Sequence, residues 1–116
     1  MRKWFFILMI ATLLAFPSPA SAQGQIAIES VNVELWPEFD KADMLVINSI
    51  LLAPGVQLPV QVDVRIPSGA VLHTVAVGET PNAVSDQGID FKTVKDGDWM
   101  VISIQVGAPA IRLEYY

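Results

Sequence analysis

Apolar and polar positions alternate with a period of two along much of the chain, and the alternation is clearest where Val60, Val62, Val64 and Ile66 interleave with Gln61, Asp63 and Arg65. That spacing sends four β-branched residues to one face and three polar ones to the other, which predicts a half-buried strand. Pro59 and Pro67 bracket it, each where ladder pairing stops. Val31, Val33 and Leu35 alternate with Asn32 and Glu34 in the same way before Trp36-Pro37. Met44 to Leu52 is a nearly continuous apolar run that a short helix or a strand would fit, and a strand buried on both faces is preferred because Val46, Ile47 and Ile50 are β-branched and the run has only nine residues. Val71 to Val77 predicts a fourth strand, ended by Gly78 and a polar loop through Pro81, Asn82, Asp86 and Gly88. Ile89 to Val94 and Trp99 to Val106 flank Lys95-Asp96-Gly97-Asp98, and Asp-Gly between alternating segments signals a hairpin. Ile111, Leu113 and Tyr115 against Arg112, Glu114 and Tyr116 make the last arm. Seven short strands with Pro, Gly and Asp turns predict an all-β fold, an antiparallel β-sandwich of immunoglobulin-like or related Greek-key type.

The first 22 residues follow a different pattern and change what the composition means. Arg2 and Lys3 precede an uncharged apolar run from Trp4 to Phe16, and Pro17 to Ala22 closes on Ala20-Ser21-Ala22. A basic start, an apolar centre and a small-x-small end are the three parts of a cleavable secretory signal peptide. Cleavage is expected between Ala22 and Gln23, since the thirteen-residue run is too short to span a bilayer, which takes about 20 apolar residues. One domain, residues 23–116, is then expected outside the cytoplasm, in the periplasm, at the cell surface or secreted. With the leader removed, five basic side chains face twelve acidic ones, where the full chain stands at −5. A chain this acidic repels nucleic acid and anionic membrane surfaces, so a protein or glycan partner is expected instead. With no cysteine, an exported fold must be held by its core and not by disulfides.

Candidate chemistry is sparse. His73, the one histidine, falls on a predicted strand beside Val71, Val75 and Val77, where a sheet histidine satisfied by backbone or water is expected. Tetrahedral zinc sites draw on several His or Cys ligands, and a single histidine cannot build one. No G-x-S-x-G elbow is present, and no cofactor is expected. Glu34, Glu38, Asp40 and Asp43 crowd into ten residues at a strand end and the loop that follows. A solvated acidic loop accounts for them; the functional alternatives are a partial calcium shell from Glu38, Asp40 and Asp43, or a hydrolase using a carboxylate pair in segment 34–43. Aromatic residues offer a further possibility, because flat rings bind sugars or peptides while losing little side-chain entropy. Trp36 and Phe39 flank Pro37 in this acidic loop, Trp99 follows the hairpin, and Tyr115-Tyr116 closes the segment. Trp36, Phe39, Tyr115 and Tyr116 are the candidate ligand contacts, with Phe91 assigned to the core and Trp36 either closing one end of the sandwich or standing as an exposed anchor.

The segment Val33-Glu34-Leu35-Trp36-Pro37-Glu38-Phe39-Asp40, with Met44-Leu45-Val46-Ile47, Leu58-Pro59, Arg65-Ile66-Pro67, Gly97-Asp98-Trp99 and Leu113-Glu114-Tyr115-Tyr116, resembles a bacterial domain found near the start of exported proteins. The resemblance covers most of residues 23–116. It implies a β-sandwich standing on the outer side of a membrane segment, which here would have to follow residue 116, and it assigns no activity, ligand or catalytic residue. The sequence reading is therefore an exported bacterial β-sandwich module that binds or builds and does not catalyse, with a carbohydrate-binding module as the first alternative.

Overall fold

Eight strands follow one another in the computed structural model, which describes residues 26–116: β1 (Ile28–Pro37), β2 (Met44–Leu52), β3 (Val60–Pro67), β4 (Leu72–Gly78), β5 (Val84–Ser85), β6 (Phe91–Asp96), β7 (Trp99–Val106) and β8 (Ala110–Tyr115). The leader assigned to residues 1–22 lies outside the described residues. All pairings are antiparallel and form two sheets, β1-β2-β8-β4-β5 and β3-β7-β6. The fold is thus the expected β-sandwich. Its last strand lies between the second and fourth, the place that an immunoglobulin domain gives to its fifth.

The core forms where the alternating faces meet. Val62 and Ile66 of β3 and Ile102, Ile104 and Val106 of β7 pack against Ile50, Leu52, Val75, Val77, Ile111 and Leu113 of the larger sheet. Register confirms the period-two reading, since Val62 lies opposite Ile104 and Val64 opposite Ile102, while Gln61, Asp63 and Arg65 face solvent. The β6–β7 hairpin closes at Asp96 opposite Trp99, so its two central residues are Gly97 and Asp98. Gly97 has φ +61°, the conformation a type II′ turn requires at its first position. β2 is less covered than a strand buried on both faces: Ile50 and Leu52 point into the sandwich and Leu45 is buried on the opposite, outer face, but Ile47, Ser49 and Leu51 on that outer face are only half-buried.

Three details depart from the alternation. The two-residue strand β5 pairs with the end of β4, where the sequence predicts a loop. Gly78 makes that pairing feasible, because a Cβ there would collide with the Ala83 carbonyl. A register shift between Leu72 and Thr74 inserts His73 as a bulge, so the histidine leaves the buried row of Val75 and Val77 and is exposed. Phe91, expected in the core, is 39% exposed: it shares a face with Ile104, but β6 is an edge strand exposed along its whole length.

Candidate functional site

The outer face of the five-stranded sheet gathers most of the residues that the sequence marked. Trp36 lies opposite Leu45 in the β1–β2 register, and Tyr116 exchanges backbone hydrogen bonds with Val71 (2.9 and 3.0 Å) beyond the end of β8. Directly opposed residues share a face. Val46 lies opposite Tyr115, so one step further Leu45 falls beside Tyr116, and one row across the sheet reads Trp36, Leu45, Tyr116, Val71. Leu45 is buried in this row although it is outside the sandwich core.

The β1–β2 connection folds back onto that row. Glu38 adopts φ +52° and its amide donates to the Asp43 carbonyl at 2.9 Å, while the Asp43 amide donates to the Lys41 carbonyl at 2.7 Å. The closed loop sets Phe39 edge-on to Trp36, with ring centroids 5.2 Å apart and planes at 79°. It also places the Lys41 ammonium 3.8 Å from the Tyr116 ring centroid and lets the Tyr116 hydroxyl donate to the Asp40 carboxylate. His73 meets the other edge of Tyr116 at 5.5 Å. The hydrogen bond to Asp40, some burial, and the charges of Asp40, Glu114 and Asp43 together push the Tyr116 phenol up to about 12, since each favours the neutral form.

Trp36 and Phe39 remain open to solvent at 42% and 59%. The indole Nε1 donates to Glu34 Oε2 at 3.2 Å and the Asn32 amide donates to Glu34 Oε1, also at 3.2 Å, so the rotamers of the row next to Trp36 are tied together. Further along the same face, Ser30, Asn32, Glu34, Ser49, Asn82 and Arg112 line a shallow hollow of about 140 Å³. There Arg112 donates to the Pro81 carbonyl at 3.4 Å, and its Nε is buried without a partner. An aromatic pair at one end, a carboxylate and an amide in the middle and a guanidinium at the other make a surface suited to an extended ligand bearing hydroxyl or carbonyl groups.

The sequence-marked residues divide on this geometry. Trp36, Phe39 and Tyr116 come together, whereas Tyr115 points the opposite way and packs against the core, because neighbours in a strand alternate faces. Trp36 stands on the outer face and does not close the end of the sandwich. Among the described residues no three His, Asp or Glu side chains gather as a metal site, Glu38, Asp40 and Asp43 included, and Asp40 is engaged by Tyr116. Trp99 lies apart, on the outer face of the other sheet opposite Pro67. Asn32, Lys41, His73 and Arg112 carried no motif; only strand pairing and the bulge bring them to this face.

Fold and surface together describe an antiparallel β-sandwich with an exposed aromatic pair on its larger sheet. Compared with protein-family models, curated proteins and solved structures, the chain finds no match in any of the three.

Proposed function

We propose that this chain is an exported bacterial β-sandwich module without catalytic activity, and that it binds a neutral glycan across the outer face of its five-stranded sheet. The observation that carries the reading is the edge-to-face pair of Trp36 and Phe39, both well exposed, with the indole held by Glu34. Rings fixed before binding lose little entropy when a sugar stacks on them. The Glu34 carboxylate accepts hydrogen bonds from sugar hydroxyls, and Arg112 lines the hollow beside it as a source of donors. An excess of acidic side chains favours a neutral ligand over an anionic one. Export follows from the leader pattern of residues 1–22, and an extracytoplasmic module would meet such glycans at a cell surface.

Trp36→Ala tests the proposal on a glycan array and in thermal melts. An anchor should lose about 2 kcal/mol or more of ligand binding, with the melting temperature nearly unchanged. An array empty for the wild type, or a loss of stability of about 3 to 5 kcal/mol as for a core tryptophan, would end it.

A further inference from the structure

The two sheets have four edges, and three of them are guarded against pairing with another chain. β5 is only two residues long; β6 carries Lys92, Lys95 and Asp96; β3 carries Asp63 and Arg65 and ends at Pro67. Short strands, charges and prolines are the usual means of blunting an edge. Over Ser30–Trp36, β1 has no Pro, Gly, Lys or Arg and a single charge, Glu34, and among the described residues its outer backbone edge pairs with no strand. The only irregularity, at Glu29, and the only proline, Pro37, lie outside that run.

The side chains of β1 point to the same conclusion. Val31 lies opposite Ile50 and Leu35 opposite Val46, so Val31, Val33 and Leu35 belong to the inner, core-facing row of the sheet. Yet they are 56%, 55% and 60% exposed, because a three-stranded sheet cannot cover all five strands facing it. An apolar row beside a free edge is a surface for another strand.

We propose that this surface takes a second copy of the chain, with the two β1 strands antiparallel about a two-fold axis through Val33. In that register Val31 of each copy meets Leu35 of the other and Val33 meets its own equivalent, so all three apolar side chains fall on one face. On the other face each Glu34 meets Asn32, an acceptor against a donor, and Ser30 meets Trp36. No like charges oppose one another. Shifting the axis by one residue, to Asn32, pairs Leu35 with Glu29 and loses the match. The strand is self-complementary in the one register that aligns its apolar row, which favours a second copy over an unrelated strand.

The purified exported protein should sediment as a dimer. Val33→Lys should shift it to monomer by placing two ammonium groups against each other on the axis, while Val94→Lys, an equally exposed valine on β6, should leave the dimer intact. The chain has no cysteine, so Val33→Cys offers a second readout that needs no charge: mild oxidation should give a covalent dimer, and Val94→Cys should not. Circular dichroism of each variant checks that the fold is kept. A wild type that stays monomeric at all concentrations, a Val33→Lys variant that still dimerises, or a Val33→Cys variant that fails to cross-link would overturn the proposal.

Discussion

The Tyr116 hydroxyl donates to the Asp40 carboxylate while Lys41 sits over its ring, so one phenol joins the β1–β2 loop to the end of β8. Its proton is held up to about pH 12 against an ordinary 10.0. A folded-state value above the unfolded one means that the stability from this contact is complete below about pH 10 and is lost as the pH rises through 12. Ultraviolet titration should therefore show the Tyr116 phenolate, identified by difference from Tyr116→Phe, forming near 12, and Asp40→Ala should bring it back toward 10. Identical titrations of wild type and Asp40→Ala would mean that the loop does not engage Tyr116. Gly78 acts at the same scale by having no side chain. Since a methyl group there would strike the Ala83 carbonyl, Gly78→Ala should lower the melting temperature, whereas Gly69→Ala, with open space around the added atom, should not.

β3 gives the most direct check of strand register. Val62→Ala should destabilise by about 1 to 3 kcal/mol, from lost burial and the cavity left behind. Gln61→Ala, at an exposed position, should change stability by less than about 0.5 kcal/mol in chemical denaturation. Equal losses at both positions would place β3 in the wrong register. Alternation in this strand and in β7 was readable from sequence because each is covered on one face only, so periodicity and burial coincide. β1 shows where that link fails: Val31, Val33 and Leu35 have the spacing of a core row, but the facing sheet stops short of them, and sheet width leaves no mark on local sequence. Alternation places His73 among the buried valines, because a bulge changes the phase of a strand without any cue as clear as Gly or Pro. Adjacency in sequence makes Tyr115 and Tyr116 look like a pair, although a period of two separates neighbours to opposite faces. Trp36 and Phe39, which meet edge to face, are three residues apart around Pro37, whereas the meeting of Tyr116 with Asp40, 76 residues apart, depends on β8 pairing beside β2.

At the scale of the whole molecule, the larger sheet carries both proposed activities on separate surfaces, its outer face for ligand and its β1 edge for a second copy. Pairing through Val33 would put two Trp36 residues on one continuous outer face, about 20 Å apart along the strands at ~3.4 Å per residue. Such an arrangement suits a repetitive glycan, since the second contact becomes intramolecular. Mass spectrometry of the exported protein should find its N-terminus at Gln23 or within a few residues of it; a protein that keeps Met1 and Arg2 would contradict the leader assignment. The central claim concerns which face binds. Residues 23–116 hold two tryptophans, Trp36 and Trp99, on the outer faces of different sheets, so an amide NMR spectrum of residues 23–116 should show two indole signals. Titration with the oligosaccharides selected on the array should move the Trp36 indole and the amides of Glu34 and Phe39 in a saturable manner while the Trp99 indole stays in place. Movement of Trp99 alone, or of neither indole, would contradict the account.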